Sequence, residues 1–260
     1  MTRIIGVTSG KGGVGKTTTV VNLGTALTAL GRSVIVVDAN LTTPNVGLHL
    51  GMPLSSVSLH DVLSGDAYIT EAISIHPPSG LRVVPAGLNI ENIARTNYSK
   101  LEGAIVDLLG YADFVVVDCP AGLEDGSRKV IQACDEILIV TNPEIPAVTD
   151  GLKAKKIAEA SSHILGVILN KTRGLKSELT TDEIEQIIEA PVIVSIPHDD
   201  DVIESIASKN PVVDFAPASP ASVEWNRLAH LILGLEYREE LPESPKKLKG
   251  LFSRILGRNR

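Results

Sequence analysis

Seven short apolar runs punctuate the chain, at 3–9 (RIIGVTS), 33–39 (SVIVVDA), 81–86 (LRVVPA), 113–119 (DFVVVDC), 136–142 (EILIVTN), 164–170 (ILGVILN) and 191–197 (PVIVSIP). They are rich in Val and Ile and barely alternate with polar residues, the pattern of strands covered on both faces. Between many of them apolar positions recur at helical spacing, as in 16–31, 98–110, 148–160 and 181–190. Strand alternating with helix predicts an α/β fold built on one doubly wound, mainly parallel sheet. Ligands of such sheets bind beyond the carboxyl ends of the strands. The segments TSGKGG, DANL, DCPAG, TNPE, LNK and IPHDD all fall there.

A helical pattern over 219–234 closes the domain expected for 1–235. The stretch 236–245 is polar, contains two prolines and reads as a linker. Beyond it, 246–260 (KKLKGLFSRILGRNR) holds six Lys or Arg and no acid. Its apolar residues Leu248, Leu251, Phe252, Ile255 and Leu256 follow the i, i+3, i+4, i+7, i+8 spacing of one helical face. A basic amphipathic segment of this kind suits the surface of an anionic membrane, or a protein groove.

Charge sharpens that division. The net charge is −7, yet the residues before 246 carry 18 basic and 31 acidic side chains. An acidic body is repelled by nucleic acid, so DNA is an unlikely partner. Hydrophobic residues make up 43% of the chain and aromatics only 3%, which leaves Val, Ile, Leu and Ala to fill the core. Cys119 and Cys134 have no metal-ligand spacing and are expected to be small buried residues in a reducing, cytoplasmic compartment. The opening MTRIIGVTSG has too short an apolar run for a signal peptide, and no stretch approaches the roughly 18 apolar residues of a membrane span.

The chemistry concentrates in GKGGVGKT (10–17), which satisfies G-x-x-x-x-G-K-[ST] between an expected strand and an expected helix. Glycines let successive backbone N–H groups turn around phosphate oxygens, and the helix start adds its positive end. Gly10, Lys11, Gly12, Gly13, Val14, Gly15, Lys16, Thr17 and Thr18 are therefore the expected phosphate-binding set. Lys16 should reach the β- and γ-phosphates and Thr17 should ligate Mg²⁺. Asp38 and Asp118, each ending an apolar run, supply the oxygen ligands that Mg²⁺ and its waters require.

KGGVGKTT (11–18), with its early second lysine, resembles the deviant Walker A motif of the MinD/ParA family of ATPases, on the MinD-like side of that family. The resemblance extends over about 3–234, includes DCPAG (118–122), and reaches the tail, since MinD-like members carry a C-terminal amphipathic targeting helix. It implies that Lys11 crosses to the nucleotide of a second subunit, so that ATP assembles a homodimer. It also implies that Asp118 holds a Mg²⁺-bound water, that the Gly122 N–H senses the γ-phosphate, and that Asn170 contacts adenine. Pro197 and Asp199, in IPHDD, would complete the base pocket, with His198 at its rim. NKTR (170–173) has Arg173 where a guanine-reading motif has aspartate, which favours ATP. Asp150 is either functional near the dimer surface or a cap for the helix after it.

DANL (38–41) departs from the family pattern D-x-D by placing Asn40 at the second acid. Asn40 can orient a water but cannot accept its proton. The expected catalytic set is Lys11, Lys16, Asp38 and Asn40, with slow or partner-activated ATP hydrolysis. The implied function is an ATP-dependent dimer, peripheral on the inner face of the cell membrane, that positions division or other polar machinery through an unidentified regulator or cargo protein. The alternatives are a nucleotide-responsive scaffold with little hydrolysis and a ParA-type DNA partition ATPase. The absence of C-x-x-C opposes an iron–sulfur carrier.

Overall fold

A computed structural model describes residues 1–52, 55–87 and 97–237. The linker beyond Tyr237 and the tail, with Leu248, Leu251, Phe252, Ile255 and Leu256, lie outside the described residues. The strands are β1 (Arg3–Thr8), β2 (Val34–Asp38), β3 (Ser74–Ile75), β4 (Arg82–Val84), β5 (Phe114–Asp118), β6 (Glu136–Thr141), β7 (His163–Thr172) and β8 (Val192–Pro197). Among the described residues the helices are α1 (Lys16–Ala29), α2 (Val46–His49), α3 (Leu59–Ser64), α4 (Leu101–Val106), α5 (Asp125–Gln132), α6 (Ile145–Ala158), α7 (Thr181–Ile188), α8 (Asp200–Ala207), α9 (Val212–Phe215) and α10 (Pro220–Ile232).

The strands form one sheet in the order β3-β4-β2-β5-β1-β6-β7-β8. All neighbours are parallel except the edge pair β3–β4. The doubly wound expectation holds, because β2 and β5 are buried along their whole length and need helices on both faces. One apolar layer packs α4, α5 and α7 against the sheet; the other holds α1, α9 and α10, with Trp225 buried in it. The register sets Val34 beside Phe114 and, at the far end, Asp38 beside Asp118. Two acidic side chains therefore emerge next to each other at the carboxyl edge.

Several boundaries differ from the sequence pattern for identifiable reasons. α6 starts at Ile145 rather than at 148, because Pro146 sits in the first turn, where its missing N–H costs nothing. Asp150 therefore lies in the second turn and is no helix cap; its carboxylate accepts from Lys153 at 2.9 Å. The helix expected over 98–110 is a 3₁₀ turn at Tyr98–Lys100 followed by α4, which stops at Val106. The strand expected over 81–86 shortens to three residues and gains β3 as an antiparallel edge. α7 starts as patterned, through a capping box in which Thr180 and Glu183 bond each other's backbone N–H. Among the described residues no helix is long and apolar enough to cross a membrane.

Ile5 of β1 is fully buried in the middle of the sheet. Ile5→Ala should lower unfolding stability by about 2–5 kcal/mol through lost burial and the cavity left behind, read as a lower urea midpoint at unchanged slope.

Candidate functional site

The loop from Ser9 to Gly15 joins the end of central strand β1 to the start of α1. Its path depends on two glycines. A Cβ on Gly10 would lie 2.1 Å from the Asp150 carbonyl oxygen, so the loop rests directly on the backbone of α6. Gly15 has φ 103°, and a Cβ there would meet Asn170 Nδ2 at 2.1 Å. The loop is thus pressed between α6 and the end of β7, and α1 starts immediately after it.

Lys16 is only 7% exposed, and its Nζ donates to Ser9 Oγ at 3.0 Å. Ser9 Oγ in turn donates to the Lys11 carbonyl at 2.7 Å, bracing the loop across its mouth. Burial pushes the Lys16 ammonium below its ordinary pKa, and the Asp118 carboxylate pulls it back up. A partly desolvated cation at a helix N-terminus is a strong attractor for phosphate.

Beside it, Thr17 Oγ1 donates to Asp118 Oδ2 at 2.6 Å. The other oxygen, Asp118 Oδ1, is buried and has no hydrogen-bond partner. Asp38 is also fully buried; it accepts from the backbone N–H of Asn40 at 3.2 Å and of Asn45 and Val46 at 3.0 Å. Its carboxylate thereby folds the 38–46 loop around itself. Burial, and then repulsion from Asp118, raise its pKa to about 8. Burial raises Asp118 as well, opposed by the Thr17 hydroxyl and Lys16. Two adjacent carboxylates that resist ionisation, a hydroxyl and an uncommitted buried oxygen fit a hard divalent cation such as Mg²⁺. Thr17 and Asp118 could hold such an ion, with Asp38 beside them on the neighbouring strand.

On the far side of the loop lies a cleft of about 260 Å³. Thr18, Asn170, Pro197 and His198 line it, and Ile203 and Trp225 give it an apolar wall. The Asn170 amide is engaged at both ends: Nδ2 donates to the Val14 carbonyl at 2.8 Å and Oδ1 accepts from the Lys171 N–H at 2.9 Å. Lys171 Nζ donates to the Gly13 carbonyl at 2.8 Å. Asp199 borders the cleft, but its two oxygens accept from Asp201 N and Ala221 N, both at 3.0 Å, capping α8 and tying down the start of α10.

Other residues singled out in the sequence sit nearby in different ways. Lys11 does not reach into its own site; its side chain is 48% exposed and lies 3.9 Å from Glu144. The Gly122 N–H donates to the Ser9 carbonyl at 3.3 Å, which closes the DCPAG turn against the loop. Asn40 Oδ1 accepts from Thr43 Oγ1 at 3.1 Å. Cys119 and Cys134 are buried core thiols, as their chemistry suggested. Sequence reasoning missed Ser9, which only the fold sets against Lys16. It also missed the apolar wall, although Val202, Ile203 and Ile206 follow the Asp199 cap at helical spacing. The arrangement offers groups suited to a phosphate chain and a divalent cation, with a partly apolar cleft beside them.

Comparison with known proteins agrees with this geometry. Residues 5–212 match the family described as the CobQ/CobB/MinD/ParA nucleotide binding domain. An uncharacterized ATP-binding protein of Methanocaldococcus jannaschii is 36% identical over 96% of this chain and 97% of its own length. The septum site-determining protein MinD of Synechocystis sp. is 33% identical over 90% of each chain. The solved structure of the septum site-determining protein MinD from Pyrococcus horikoshii, complexed with Mg-ADP, superposes with a TM-score of 0.86 at 35% identity, covering 89% of this chain and 96% of that one.

The Asp38–Asp118 pair makes the fold sensitive to pH. With its folded pKa raised from 3.8 to about 8, Asp38 keeps a proton in the native state that the unfolded chain releases, so stability falls as pH rises between those values. Asp38→Asn removes this linkage. Without divalent cations, its urea-unfolding stability should decline less steeply over that interval than the parent's, and equal slopes would refute the assignment.

Proposed function

The chain belongs to the CobQ/CobB/MinD/ParA nucleotide-binding family, and from that membership we propose that it is a MinD-like ATP-binding protein whose nucleotide-bound form is a homodimer. The observation that carries this reading is the division between its two loop lysines. Lys16 is buried inside the site, while Lys11, three residues after the end of β1, stands half-exposed at its margin. A triphosphate with one divalent cation keeps excess negative charge, which a lysine from a second subunit can offset. ATP would then join two copies.

Within the site, Lys16 and the loop backbone bind the phosphates, and Thr17 and Asp118 hold Mg²⁺, which would neutralise charge on the transferring phosphoryl group. Asp38 keeps the 38–46 loop closed, and the cleft beside Asn170 and Pro197 accepts adenine. Asn40 orients water without accepting its proton, so hydrolysis by one copy alone is slow and rises when a partner protein completes the site. A second reading, a scaffold that responds to nucleotide with little turnover, is favoured by the same residue, because Asn40 is already bonded to Thr43.

The basic segment 246–260 gives the dimer a further property. One such segment binds an anionic surface weakly, and two on a dimer gain effective concentration that multiplies avidity by roughly 10²–10⁴. Nucleotide state would thereby govern attachment to the inner face of the membrane, where a regulator or cargo protein is engaged.

Light scattering tests the central claim. The parent should double in mass with Mg²⁺ and a non-hydrolysable ATP analogue, whereas Lys11→Ala should bind the analogue and stay monomeric; a parent that remains monomeric at saturation sinks the dimer. Sedimentation with anionic vesicles tests the tail: the parent with ATP should pellet, and a chain ending at residue 245 should not.

A further inference from the structure

Lys171 carries none of the roles assigned above, yet its placement is unusual in three independent ways. It interrupts the pairing of β7 with β8: Asn170 is opposite Ile196 and Thr172 opposite Pro197, which leaves Lys171 as an inserted bulge residue. Its backbone is left-handed, with φ 61°, a conformation uncommon for a residue with a side chain. Its ammonium reaches back across the sheet edge to the Gly13 carbonyl at 2.8 Å. Bulges re-aim side chains beside functional sites, and local strain persists where the surroundings hold it in place.

We propose that Lys171 is a positioning residue for the phosphate loop, acting through the backbone of Gly13 and Val14 rather than on the nucleotide. The inference rests on the nucleotide-binding reading above and adds to it the device that preorganises the loop. In a planar trans peptide the C=O and the following N–H point in opposite directions. Fixing the Gly13 carbonyl therefore fixes the direction of the Val14 N–H. Asn170 Nδ2 on the Val14 carbonyl does the same for the Gly15 N–H. The two clamps are themselves joined, because the Lys171 N–H donates to Asn170 Oδ1 and orients that amide.

The loop needs such support. Gly13 and Gly15 both have positive φ, and a Cβ placed on Gly12 or Gly13 would meet nothing within 4 Å. Glycine restricts its own backbone least, so this stretch relies on outside contacts to hold one conformation. Holding their carbonyls outward keeps the following N–H groups turned inward, where an anion binds without first ordering the loop.

The test compares the parent with Lys171→Met, Lys171→Gly and Lys171→Arg, in the full chain. Each competes Mg-ADP and Mg-pyrophosphate against a fluorescent ADP analogue at low and high salt. Lys171→Met should weaken both competitors by the same factor, about tenfold for one charge-assisted hydrogen bond, with an unchanged melting temperature. Lys171→Gly should weaken them equally although it relieves the left-handed backbone, and Lys171→Arg should recover most of the loss. Unchanged affinities overturn the proposal, as does a loss confined to ADP, which would put the amine on the adenosine side. A loss that disappears at high salt also overturns it, since that marks a distant charge. A parent that binds neither competitor defeats the nucleotide-binding reading itself, an outcome distinct from all of these.

Discussion

Three buried ionisable groups crowd the carboxyl end of the sheet: the Lys16 amine, and the Asp118 and Asp38 carboxyl groups. Removing charge from water is costly unless each ion is paired or bonded, and most of the local architecture serves that requirement. Lys16 is met by Ser9 and by the field of Asp118. Asp118 takes the Thr17 hydroxyl on one oxygen and leaves the other bare. Asp38 gathers three backbone N–H groups from a single loop. The cluster still has one buried acceptor too many, and that surplus suits a cation more than a folded protein alone.

The same constraint explains why the surrounding contacts are so close. A phosphate loop works only if its N–H groups face one point, which leaves its carbonyls to be satisfied elsewhere. Two of them are taken by Asn170 and Lys171, at the end of a strand that arrives far later in the chain. A third, that of Ser9, is met by Gly122. The loop is thus held by two segments distant in sequence, and the parallel sheet brings those segments together at one edge.

That assembly explains what could be read in advance. The strands were legible because a twice-covered strand must be continuously apolar, and VIVVD and FVVVD are. The phosphate loop was legible because its chemistry is local, a run of glycines ending in Lys16 and Thr17. The partners of that loop were not. Nothing around Ser9 foretells its bond to Lys16, and nothing in NKT says that Lys171 sits in a bulge, since both facts depend on the register of other strands. Asp199 was read as a pocket residue and does border the cleft, but the service of both its oxygens to helix starts needed the position of Ala221. The start of α6 lay earlier than the pattern over 148–160, because an apolar pattern cannot show whether Pro146 opens a helix or precedes it.

Asn40 gains a physical reason from the charge cluster. Burial and then Asp118 already raise the cost of ionising Asp38, and residue 40 lies two positions along the same loop. A third carboxylate there would add to the repulsion that the three backbone N–H groups at Asp38 must counter. Asparagine avoids that penalty, and its amide oxygen accepts from Thr43 to keep the loop folded in the absence of a γ-phosphate. The exchange withdraws the group best suited to take a proton from water. A chain built this way braces the 38–46 loop without a second acid, while Lys11 and Glu144 stand together at the exposed margin of the site.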